Sequence, residues 1–88
     1  MSEEKSGLSM YDLANKYIDL ANDLSKVDQS GNVGMALRYS AARYSAFEAS
    51  MRNENLADDK EQIIDIYLED YRRMLSDNMD EYIKQSGH

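Results

Sequence analysis

Carboxylates are the most numerous side chains here with a capacity for chemistry, and two groups of them sit at helical spacing. Asp65 and Glu69 are four apart, and Asp77, Asp80 and Glu81 fall within about one turn. Paired carboxylates on helices can ligate metals in four-helix bundles, but such sites also draw on a Glu-x-x-His element. The single His of this chain is His88, its last residue, and there is no Cys. Nucleophilic dyads and zinc sites of the usual kinds are therefore excluded. Gly31-Asn32-Val33-Gly34 is a turn that lacks the Lys of a phosphate-binding loop. The carboxylates then read as a solvated charged face. The sequence assigns no catalytic residue, no metal ligand and no cofactor.

Four polar side chains stand where structure would use them. Arg43 lies three after Ser40 and four before Phe47, at the edge of an apolar face. A half-buried guanidinium there needs a carboxylate, with Asp19 as a candidate, because an unpaired buried charge costs roughly 3–5 kcal/mol. The other reading is an exposed Arg whose stem covers the core edge. Asn78 falls where an apolar stripe next points inward, so its amide is expected to be buried, hydrogen-bonded and register-setting. Asn22 joins Arg43 and Asn78 in an alternative reading, a small-molecule or metal-binding helical protein with a polar interhelical site.

The elements that must position these residues are helices. Val33–Met51 carries five alanines, the strongest helix formers, and no Gly after Gly34. Val33, Leu37, Tyr44, Phe47 and Met51 recur on one face, widened by Ala42, Ala46 and Ala49. Apolar character around much of its circumference marks it as the central helix. Ahead of it, Met10, Leu13, Tyr17, Leu20, Leu24 and Val27 keep the same step, entered through Ser9 with Asp12 as an imperfect capping box. That helix stops near Asp28, at Gln29-Ser30-Gly31-Asn32. A third helix follows Asn55, or begins from a capping box at Asp58–Glu61. Its stripe is Ile64, Leu68, Tyr71, Leu75, Asn78 or Met79, and Tyr82, and Glu69–Arg73 is a favourable ion pair along it. The fold class predicted is all-α: a three-helix antiparallel bundle with helix 2 central, over 9–28, 33–53 and 55–85. Residues 9–85 form one domain, 1–8 a disordered tail, and 86–88 a frayed end.

Composition narrows the function classes. Eighty-eight residues leave room for one core. Net charge is −7: residues 1–32 carry −3, residues 33–54 carry +1 and residues 55–88 carry −5. Acidic outer segments argue against nucleic acid, which needs a basic footprint, and against anionic membranes. No apolar run approaches the ~18 residues of a membrane span, and MSEEKSGLS is the wrong chemistry for a signal peptide, so a cytoplasmic protein is expected. Seven of the eight aromatics are Tyr, which suits core edges and interfaces. Tyr17, Tyr44, Tyr71 and Tyr82 fall on predicted core stripes. Met35 and Tyr39 on helix 2, and Ile63 and Tyr67 on helix 3, lie beside the stripes and are candidates for an interface.

Three stretches carry a family resemblance: ANKYIDLAN (Ala14–Asn22), AARYSAF (Ala41–Phe47) and YRRMLSDNMDEYI (Tyr71–Ile83). They touch all three predicted helices. On these motifs the chain resembles a family of small bacterial proteins catalogued as domain of unknown function number 3144. It differs in a shorter connection between helices 2 and 3 and in Glu48, where an apolar residue is expected. The resemblance implies a bacterial cytosolic origin and a helical fold, and it supplies no catalytic residues. The expected function is that of a non-enzymatic helical module that binds protein, itself included as a dimer.

Overall fold

A computed structural model describes residues 7–87. Its elements are α1 (Met10–Val27), α2 (Asn32–Arg52) and α3 (Leu56–Gln85), and no strand occurs among the described residues. Residues 1–6 of the expected tail, and His88, lie outside the described residues. The chain divides into two compact units, Met1–Ser45 and Ala46–His88, so the boundary falls within α2.

Each helix end has a local cause. Ser9 Oγ accepts from the Asp12 N–H and the Asp12 carboxylate accepts from the Ser9 N–H, both at 3.1 Å. Asp thus completes the reciprocal capping box that Glu usually fills. After Val27 the backbone leaves the helix at Asp28, whose N–H closes on the Leu24 carbonyl. Asp28 Oδ1 then accepts from the Ser30 N–H at 2.9 Å, and Ser30 Oγ accepts from the Asn32 N–H at 3.2 Å. Gly31 sits between them at φ +97°, a conformation L side chains avoid. Asn32 is the first helical residue of α2, and Ser30 Oγ satisfies its N–H.

Between α2 and α3 there is no glycine. Asn53 ends α2 twice over, its backbone N–H and its side-chain amide both donating to the Ala49 carbonyl, at 3.1 and 2.8 Å. Asn55 precedes α3 without a side-chain cap bond, and Asp58 and Asp59 lie in the first turn, where they face the positive end of the helix dipole. The capping box expected at Asp58–Glu61 is therefore not the start of the helix. At the other end, Ser86 and Gly87 donate to carbonyls of the last turn, with Gly87 at φ +85°.

Shielding within the units follows small side chains. In the first unit Ala14 and Ala21, seven apart on α1, are half-buried, as is Val33. In the second, Ala49 is buried at 5% exposure; Glu48 and Asn53 beside it, and Asp59, Ile63 and Tyr67 on α3, are half-buried. The α3 positions step by four, and so do Ala49 and Asn53. An alanine at the contact allows a close approach of backbones. The stripes expected to be core are turned outward instead: Tyr17, Leu20, Tyr44, Phe47, Leu68, Tyr71 and Tyr82 are all exposed. On α1 the alanines Ala14 and Ala21 are among the shielded positions, whereas on α2 Ala49 is buried and Ala36, Ala41, Ala42 and Ala46 are exposed.

Two predictions follow from this packing and from the α1–α2 turn. Ala49→Leu overpacks the one buried position among the described residues and lowers stability by about 1–3 kcal/mol, whereas Ala46→Leu, at an exposed site, changes it by less than about 0.5 kcal/mol; urea midpoints distinguish the two. Asp28 is held below the usual carboxylate pKa by the Ser30 hydroxyl first and the Ser30 N–H second, against a small opposing desolvation. A lowered folded pKa stabilises the turn above the ordinary carboxylate value, and that contribution disappears as pH falls through the folded value. Ser30→Ala is expected to move the Asp28 titration back up in carboxyl-detected NMR.

Candidate functional site

The α3 helix offers the most continuous feature that could meet another molecule. Ile64, Leu68, Tyr71, Leu75, Asn78 and Tyr82 follow alternating steps of four and three, the spacing that keeps one face toward a partner helix. All six are exposed, Tyr82 at 71%. Met79 and Ile83 widen the row, and Leu68, Tyr71, Leu75, Met79 and Ile83 line an open depression along the helix together with the polar side chains of Asp65, Glu69, Arg72, Ser76 and Asp80. The half-buried positions Asp59, Ile63 and Tyr67 occupy the neighbouring side. The helix is thus two-faced, with one face used inside its own unit and one left open.

Charges flank the open row unevenly. Arg73 donates to Asp70 at 2.8 Å in an exposed pair three residues apart; the pair expected was Glu69–Arg73, and the nearer carboxylate takes the guanidinium. On α1, Lys26 and Asp23 stand 3.5 Å apart. Among the described residues these are the ion pairs formed, so Lys60, Asp65, Arg72 and Glu81 have none. Arg72 was not singled out by the sequence. The signal available there was the tandem Arg72-Arg73, in which two guanidinia cannot share one side of the helix.

The sequence-derived candidates are distributed as follows. Asp19, Asn22 and Arg43 belong to the first unit, and all three are exposed. None of them makes a side-chain hydrogen bond or ion pair among the described residues. The half-buried, paired guanidinium expected at Arg43 is corrected: Arg43 is exposed, and its same-face neighbours Tyr39 and Phe47 are exposed with it. Asn78 is hydrogen-bonded, its amide donating to the Met74 carbonyl at 2.7 Å, but it is exposed rather than buried. Its bond runs along its own helix, so burial is not what satisfies it. Met35 and Tyr39, four apart on α2, are exposed by more than half, whereas Ile63 and Tyr67 are half-buried. No group of three His, Cys, Asp or Glu able to hold a metal ion occurs among the described residues. No helix among them is long and apolar enough to cross a membrane.

The family described as "Protein of unknown function (DUF3144)" matches residues 10–83 of the chain. That match runs from the first residue of α1 into the last turn of α3, and the chain belongs to this family. Neither a curated protein nor a solved structure matches it.

An exposed Arg without a partner contributes little to stability. Arg43→Ala is accordingly expected to shift the stability by less than about 0.5 kcal/mol. A loss of 2 kcal/mol or more in a denaturant titration would place the guanidinium in a contact that the exposed position does not provide.

Proposed function

We propose that this member of the DUF3144 family is a non-enzymatic helical interaction module that acts by binding protein, with a second copy of itself as the first partner. The reading places it in the bacterial cytoplasm, with the three helices running antiparallel and α2 central. The observation that carries it is the open row on α3, where Leu68, Tyr71, Leu75 and Tyr82 stand exposed at coiled-coil spacing. Large apolar side chains scattered singly on a surface need no explanation, but a contiguous patch of them usually marks an interface.

Several features agree with this reading. Tyr and Met, both enriched at protein interfaces, supply much of the exposed apolar surface: Tyr39 and Met35 on α2, Tyr71, Met74, Met79 and Tyr82 on α3. The mutual repulsion of chains of net charge −7 is screened beyond about 8 Å at ~0.15 M salt. Two-fold pairing is the commonest way to cover such a face.

Sedimentation equilibrium over a wide concentration range tests the proposal. The expected result is a species of twice the 10.1 kDa chain mass that dissociates on dilution. A single 10.1 kDa species at high micromolar protein would overturn self-association.

A further inference from the structure

We infer that the open row of α3 pairs antiparallel with the same row of a second copy, in one register whose two-fold axis passes between Glu69 and Asp70. The inference rests on the self-association proposed above and specifies its interface. In this register Ile64 opposes Leu75 of the second copy, and Leu68 opposes Tyr71. Farther out, Ala57 meets Tyr82, a small residue against a large one. These layers are the alternating positions that fill a two-helix seam, and all of them belong to an element that is helical from Leu56 to Gln85. The axis lies near the middle of α3, so almost the whole helix overlaps with its copy.

Charge selects the register. Beside the seam, Asp65 falls opposite Arg72 of the second copy and Lys60 opposite Glu81, and the symmetry repeats each pair. None of these four side chains finds an ion-pair partner within its own chain among the described residues. Glu61 opposes Asn78, whose amide uses one hydrogen on the Met74 carbonyl and keeps a second to donate. Sliding by one heptad in either direction sets Asp65 against Asp65, or Arg72 against Arg72. A parallel pair sets Glu61 against Glu61 in the seam. Like-charge juxtaposition of this kind is how wrong pairings are suppressed. At the axis itself Glu69 and Asp70 stand on the outer side of the helix, away from the seam, and Asp70 is neutralised by Arg73.

The test uses the full chain and charge exchange. Arg72→Asp places carboxylates opposite one another at both Asp65 sites and is expected to weaken dimerisation about tenfold or more in sedimentation equilibrium, with helicity by circular dichroism unchanged. Asp65→Arg combined with Arg72→Asp restores the pair and is expected to recover dimerisation. A second measurement reports direction: nitroxide labels at Glu69 come close across the axis, whereas labels at Gln85 lie roughly 45 Å apart at 1.5 Å per residue. A wild-type monomer overturns self-association and this interface together. A wild-type dimer that is indifferent to Arg72→Asp, or not rescued by the double exchange, overturns this interface while leaving self-association standing. Short distances at both label sites would mean a parallel pair and would also overturn it.

Discussion

Packing in the second unit is tightest at Ala49, the buried side chain among the described residues. A methyl group is all that stands there, and Asn53 on the same helix and Ile63 and Tyr67 on α3 are half-buried in the same unit. A larger side chain at the same position overpacks it. Close approach has a geometric cost, however. It engages a narrow side of each helix, and side chains a third of a turn away cannot reach the contact. Leu68, about 100° around the helix from Tyr67, is exposed, and so are Tyr71 and Leu75, which continue the step of four beyond Tyr67.

The helix ends rest on a different kind of interaction, short polar bonds within a few residues of sequence. The reciprocal Ser9–Asp12 bonds, the Asp28–Ser30–Asn32 chain and the double donation from Asn53 to the Ala49 carbonyl each need no distant partner. This is why helix boundaries were legible from residue types to within a residue or two. It is also why Gly31 was recognisable as a stop: a positive φ is a property of the residue itself. The family, too, was legible, because its motifs are distributed along the helices and the match spans α1 to α3.

Facing was less legible. On α3 the residue pairs Ile63/Ile64 and Tyr67/Leu68 are adjacent in sequence and about 100° apart around the helix. Both members of each pair are apolar, so periodicity alone does not say which face is engaged first. The deciding quantity is the size of the residue across the contact, and that belongs to another helix. Arg43 shows the same limit. Its spacing from Ser40 and Phe47 marked it as an edge residue, but spacing along one helix does not say whether another element covers that edge, and Arg43 is exposed. Charges at the flanks followed competition between near equals: Arg73 chose Asp70 over Glu69, and Arg72 was left without a partner.

The connection Asn53–Asn55 has a consequence for how this family can diversify. No residue in it takes a positive φ, so it makes no demand for glycine. The bond that closes α2 there is local to Asn53 and Ala49. Lengthening the segment beyond Asn53 leaves that closure intact, and doubling the length of a flexible loop costs only about 0.6 kcal/mol in closure entropy. Added length between the two helices of this unit therefore meets little thermodynamic resistance, while the turn in which Asp28 is tied to Ser30 and Ser30 to Asn32 resists the same change. The two linkers of one small helical protein thus differ in their thermodynamic tolerance of added length, and the second is the more permissive.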